Sequence, residues 1–294
     1  MIETSAPTST SSSAVHRSQP IGAPRPGTIF SRALLDALPS IITWSVGYSA
    51  LLCAVVVLYP ILEENNTLVG VLSGLGLMDA ITNNEAIDTR ALGTFPGYLA
   101  LEALAWGPLL LSMYVVPQTL RHTIGEEQNG TLDLLLSTPL PRWRFLVEKT
   151  LSVLVGLLTV LLVMWSVLMM STKLVDGSEL TLQQATAGIV HLLPVLLVTL
   201  GLTVLLATWL RDPRTIAGIV ALFLLSSFFI SSLADATGSP PLEFISIVSI
   251  FHYYSSIAAM LDGIQPVHDL GLSLVGVILF LLALVAFQRR DLGV

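Results

Sequence analysis

Residues 186–210 read TAGIVHLLPVLLVTLGLTVLLATWL, 25 positions without one Asp, Glu, Lys or Arg. An uncharged apolar run of about 18 or more residues is long enough to cross a bilayer as a helix. Five further long apolar runs, with at most two charged residues each, lie at 40–60, 97–117, 147–170, 215–234 and 269–287. Hydrocarbon offers no water to unpaired amides, so each run must close its own backbone hydrogen bonds as a helix. Barrel strands would alternate polar and apolar residues, and these runs do not. The chain as a whole agrees: 53% of its 294 residues are hydrophobic and 11% charged, against roughly a quarter charged in soluble domains. The expected fold is an all-α membrane protein with six transmembrane helices.

Pro108 and Pro194 fall inside spans, where they predict kinks whose freed carbonyls neighbouring helices must satisfy. Segment 67–81 (TLVGVLSGLGLMDAI) is apolar but short and carries Asp79. It is read as a surface helix on the outer face, the alternative being a seventh crossing. Lys and Arg concentrate on the cytoplasmic side of membrane proteins. With six spans and the N-terminus inside, eleven of the thirteen fall inside, and only Arg90 and Lys173 lie outside. Both termini are therefore expected in the cytoplasm, with residues 40–294 forming the transmembrane domain. The net charge of −7 comes from acidic residues on the outer loops, which points to solvation of that face and not to nucleic acid. Residues 1–27, rich in Ser, Thr and Pro, read as a disordered cytoplasmic tail. In residues 28–39 (TIFSRALLDALP), Phe30, Leu34, Leu35 and Leu38 lie near one face, with Arg32 and Asp36 elsewhere. That pattern predicts an amphipathic helix on the inner leaflet.

No nucleotide-binding GxxxxGK[ST], HExxH, GxSxG or CxxC pattern occurs. Cys53 is the only cysteine, so no internal disulfide can form. The five histidines are scattered without metal-ligand spacing. His191 alone falls in a span, near its outer end, where a hydrogen bond between helices is the expected role. The chain offers no catalytic and no metal-binding residues. Glu102 is the one carboxylate well inside a span, about 8 Å below the surface if residue 97 marks it. Such a group is costly and functional by default; the alternative is that it snorkels outward or caps a neighbouring helix.

Between the second and third runs lies GEEQNGTLDLLLSTPLPRWRF (125–145). Gly125 and Gly130 bracket a polar turn, and Thr131 is a good N-cap for two helical turns. Leu132, Leu135 and Leu136 then share one face, while Pro139 and Pro141 stop the helix. Arg142, Trp143, Arg144 and Lys149 follow at the headgroup level. A short leucine-faced helix between two spans needs a partner. It either rests on the lipid interface or its own bundle, or fills a groove on a separate cytoplasmic protein, with Glu126 and Glu127 as the charged rim.

This stretch resembles the signature of the membrane subunits of ABC-2 type transporters, E-E-x-x-G-T-L-x-x-L-L-x-x-P-x-x-R followed by a basic residue. The matching positions are Glu126, Glu127, Gly130, Thr131, Leu132, Leu135, Leu136, Pro139, Arg142 and Lys149. GYLALE (97–102), LRDPRTIAG (210–218), FHYYSSIAAMLDG (251–263) and FQRRDLG (287–293) are similar to the family in the same order. The likeness runs from about residue 30 onward. Two features depart from it: Gln128-Asn129 is neutral where relatives carry another charge, and the N-terminal tail is longer.

The resemblance implies a permease subunit that pairs with a second copy or a paralogue. Each half engages an ABC ATPase through the 126–142 coupling helix, with Arg32, Arg211 and Arg214 as secondary contacts. It implies no enzyme activity and no cofactor in this chain, since ATP and Mg are used by the partner. It implies export across a prokaryotic plasma membrane, with short re-entrant helices over the exit at residues 239–266. Two other readings stay open: a non-transporting anchor or assembly factor that works with an ABC ATPase, and an ion-coupled transporter without one.

Overall fold

The computed structural model describes residues 27–64, 94–128, 141–174 and 180–289. The expected surface helix at 67–81, the leucine-faced helix at 131–137 and nearly all of the N-terminal tail lie outside these residues. Among the described residues there are helices and turns and no strand. Six helical stretches are long and apolar enough to cross a membrane: Thr28–Ile61, Phe95–Gly125, Trp143–Ser171, Leu182–Trp209, Pro213–Asp235 and Pro266–Arg289. They coincide with the six runs of the sequence and overshoot them, because helices continue through the polar residues that cap them.

The first span belongs to α1 (Thr28–Glu64). Residues 28–39, expected as a separate interfacial helix, continue into it without a break, and Pro39 sits inside the helix. One stripe holds it to the bundle: Ile29, Ala33, Ala37, Ile41, Tyr48, Leu52 and Val56 are buried, while Leu35, Ile42 and Val46 are each at least 60% exposed. The second span comprises α2 (Phe95–Leu99), a π-helical turn (Ala100–Leu104) and α3 (Gly107–Gln128). The third is α4 (Arg142–Ser171). The fourth is α5 (Leu182–Val190) and α6 (Leu192–Trp209), separated at His191. The fifth is α7 (Pro213–Thr237) and the sixth α10 (Pro266–Arg289). Between them lie α8 (Pro240–Ser246), a 3-10 turn (Ile250–Tyr253) and α9 (Ser256–Leu261).

Local chemistry sets the helix ends. Thr181 and Gln184 form a capping box: the Thr181 hydroxyl accepts from the Gln184 amide at 3.2 Å, and the Gln184 side chain accepts from the Thr181 amide at 3.0 Å. Asp212 caps α7, accepting from the Thr215 hydroxyl at 2.6 Å and from the amides of Thr215 and Arg214. The Thr215 hydroxyl bond, with these amides, holds the Asp212 carboxyl below its ordinary range. Pro213 follows at the first helical position, where its missing N–H costs nothing. At the other end Gly238, at φ 56°, supplies the left-handed residue that terminates α7.

In the bundle α1 packs along α4, α10 along α6, and α3 against α6. The fourth span is the central helix: 72% of its most apolar window is buried, against 17% for the sixth. The close approach of α6 and α10 rests on two glycines. A Cβ on Gly201 would lie 2.5 Å from the Gly276 carbonyl, and one on Gly276 2.7 Å from the Leu197 backbone. Small residues bring helix backbones together in lipid, where dispersion contacts drive association.

Candidate functional site

The start of α1, the end of α3, the start of α4, the 210–212 link and the end of α10 share one end of the bundle. This is the basic end, with Arg32, Arg121, Arg144, Arg211, Arg214 and Arg289. Glu126 and Glu127 occupy the last turn of α3, and Arg142 opens α4. Gly130, Thr131, Leu132, Leu135, Leu136 and Pro139 lie outside the described residues. Arg32 is exposed at the start of α1, and Arg211 and Arg214 are exposed three residues apart where the 210–212 link enters α7.

A carboxylate not singled out in the sequence ties these elements together. Glu148, two turns into α4, accepts from the Phe30 amide at 3.1 Å, the Gly27 amide at 3.4 Å and the Arg144 side chain at 2.7 Å. It thus caps the N-terminus of α1, where unpaired amides and the helix dipole favour an anion. The first turns of α4 follow directly on the leucine-rich connection, so Glu148 fastens α1 to the same structural unit. Lys149, expected at the headgroup level, instead turns inward: it is 4% exposed, with its ammonium 5.9 Å from the Phe145 ring centre. Buried His122 feels its charge, with those of Arg121 and Asp36. Trp143 and Trp209 are exposed at this end, as befits amphipathic rings at a membrane interface.

The opposite end is built around a break in the second span. Pro108 has no N–H to give to the carbonyl of Leu104, four residues earlier. That carbonyl receives the Tyr254 hydroxyl instead, at 2.6 Å, and the adjacent Ala103 carbonyl receives the Tyr48 hydroxyl at 2.8 Å. The freed carbonyls expected from Pro108 are therefore satisfied by two phenols from other elements. Gly107 leaves room for the arrangement, since a Cβ there would lie 3.2 Å from the Tyr48 oxygen and closer still to Leu192. His191, at the break in the fourth span, makes the bond between helices expected of it: its Nδ1 lies 2.5 Å from Asp269 on α10. Its Nε2 also accepts from the Ser255 amide at 3.1 Å.

The segment between the fifth and sixth spans lies over this break. Its two helical parts, Pro240–Ser246 and Ile250–Leu261, bend by 90°. The Ser249 hydroxyl donates to the Ser227 carbonyl of α7 at 2.7 Å, and Phe251 packs edge-on to Phe228. Glu102 sits in the π-helical turn with its side chain exposed, between buried Ala100 and Ala103. Below the turn, an apolar groove of about 410 Å³ separates α3 from α7, lined by Leu109, Met113, Val116, Leu224 and others. Its Ser112 hydroxyl is already committed to the Pro108 carbonyl at 2.6 Å.

A hydroxyl–imidazole contact, Ser246 Oγ to His252 Nδ1 at 3.1 Å, lies within the bent segment, and no group of three metal-ligating side chains gathers among the described residues. What the arrangement can do is mechanical: the basic end joins α1 to the root of α4, and the opposite end joins four spans through one bent segment. Tyr254, Asp269 and Glu148 escaped the sequence reading. For Tyr254 a signal existed, since Pro108 predicts an orphaned carbonyl, but it does not say which donor fills the vacancy.

Comparison with curated proteins found no match. The pattern of the family described as ABC-2 family transporter protein, however, matches residues 44–292, from within the first span to beyond the sixth. This chain belongs to the ABC-2 transporter family and is a multi-pass permease of that family.

Proposed function

We propose that the chain is the membrane subunit of an ATP-driven exporter, paired with a second permease copy or paralogue and powered by a separate ABC ATPase. In this reading the basic end faces the cytoplasm of a prokaryotic cell and both termini lie there. The ATPase docks on residues 126–142, with Arg32, Arg211 and Arg214 as secondary contacts, and uses ATP and Mg in its own site. The observation that carries the proposal is the position of this signature. It connects the end of α3 to the root of α4, where Glu148 also holds the start of α1. A push on the signature would move the third and first spans together, because one carboxylate caps the helix of the second of these. The bent segment 240–261 would be the re-entrant cover of the exit.

Leu135→Glu places a charge on the face meant for an apolar groove, and Glu127→Arg reverses the rim. Each is expected to lower ATPase co-purification at least about tenfold, since an unpaired charge in such a contact costs more than 1.4 kcal/mol. Membrane insertion should be unchanged. Complexes that survive both substitutions would show that the ATPase docks elsewhere. Solute movement in liposomes containing the complex separates export from a purely anchoring role.

Glu102 is proposed to act in transport through its charge. Glu102→Gln keeps the shape and removes the charge, so solute-stimulated ATP turnover is expected to change by about threefold or more. A turnover equal to wild type would assign Glu102 to snorkelling alone.

A further inference from the structure

His191 is 2% exposed, and both of its ring nitrogens are engaged by elements far away in the chain. A backbone N–H can only donate, so Nε2, 3.1 Å from the Ser255 amide, must present its lone pair. A neutral imidazole carries one hydrogen, which is therefore on Nδ1 and donated to the Asp269 carboxylate. The ring also stacks on Tyr254, centroids 4.9 Å apart and planes within 14°. Tyr254 in turn holds the Leu104 carbonyl left open by Pro108. Through one histidine the 250–261 segment is fixed to the fourth and sixth spans, and through its neighbour to the second.

We infer that His191, oriented by Asp269, is the positioning residue that seats the 250–261 segment on the bundle, and that the seat exists only while the imidazole is neutral. A proton taken up from water at Nε2 turns that nitrogen into a donor facing the Ser255 donor. The contact is then lost, while the imidazolium stays paired with Asp269. The ionisable groups around the ring are Asp269 and His268 on α10 and Tyr254 on the segment itself, with Tyr48 of α1 close to Tyr254. Asp269 is the carboxylate among them, and its second oxygen has no hydrogen-bond partner among the described residues. A carboxylate held this way can keep an imidazolium in place after the Ser255 bond has gone. Acid on this face thus releases the N-terminus of α9 without dislodging His191. The bearing of the seat on solute exit rests on the export reading; the seat itself does not.

The test is amide exchange at Ser255 in the full chain, reconstituted in liposomes without any ATPase. His191→Phe keeps a ring over Tyr254 and removes the acceptor. Near pH 7.5 the Ser255 amide of wild type is expected to exchange at least about tenfold more slowly than that of His191→Phe. As acid protonates the His191 ring, followed by its own NMR signals, wild-type protection should fall towards the variant's in step with the ring, after correction for the intrinsic rate. Asp269→Asn, whose carbonyl still accepts from Nδ1–H, should stay within about threefold of wild type near neutrality. Equal exchange in wild type and His191→Phe would overturn the seat. Protection that persists once the His191 ring is protonated, as its own NMR signals report, would overturn the need for a neutral ring, and that measurement on wild type requires no variant to fold. Failure of ATPase docking would leave all of these results untouched, so the two proposals fail separately.

Discussion

Gly276→Val is expected to destroy the packing of the sixth span against the fourth. A Cβ at 276 would stand 2.7–2.9 Å from the carbonyl carbon and oxygen of Leu197 and the nitrogen of Val198. All three are backbone atoms of the central helix, so no side-chain rotation relieves the overlap and the helices must part. Overpacking a core typically costs about 1–3 kcal/mol; with backbone on both sides the upper part of that range, or more, is expected here. Helix propensity works in the other direction, since replacing a helical Gly by Ala gains about 0.8–1 kcal/mol. The sign of the outcome therefore reports the contact. Gly276→Ala should already lower the yield of monodisperse protein in mild detergent, and Gly276→Val should nearly abolish it. Gly47→Ala and Gly218→Ala, where an added Cβ meets nothing within 4 Å, should be neutral or slightly stabilising. Equal melting temperatures across the four variants would refute the backbone contact between α6 and α10.

The second large effect is expected at Tyr254. Tyr254→Phe keeps the ring that stacks on His191 and removes only the hydroxyl that serves the Leu104 carbonyl. Tyr254 is 9% exposed, so water does not readily replace it. Leaving a buried acceptor unsatisfied costs about 1–3 kcal/mol, which should appear as a lower denaturation midpoint. The cause can be isolated by giving Leu104 another donor. Pro108→Ala restores the N–H that an uninterrupted helix would supply at that position. In the Pro108→Ala background the cost of Tyr254→Phe should shrink to less than about half. An unchanged cost in the double variant would mean that Tyr254 matters for its packing and not for this hydrogen bond.

Most of the architecture is legible in residue order. Uninterrupted apolar runs define six spans because lipid allows a chain to cross only with its backbone bonds closed locally. Thr181 with Gln184, Asp212 with Pro213, and Gly238 mark helix ends by chemistry that acts within four residues. The stretch 126–142 carries the family likeness in the same local way. Residues 28–39 were harder: their spacing suggests a separate surface helix, yet the chain continues straight into the first span. Ala33 and Ala37 are buried in line with Ile41 and Tyr48, so packing against α4 runs through both parts.

The amino-acid sequence by itself determines the six apolar stretches long enough to cross a membrane and which family the chain joins. Both follow from runs and motifs within one stretch of chain. Only the tertiary structure decides that His191 meets Asp269, that Tyr254 replaces the donor lost at Pro108, that Glu148 caps α1 and that Lys149 points inward. The physical reason is that lipid and protein interior are both apolar, so a helix such as Leu192–Trp209 shows no hydrophobic side from which its orientation could be read. Which face turns inward is settled by backbone contacts such as Gly201 against Gly276, and only then do polar groups 78 or 150 residues apart come within a hydrogen bond of each other.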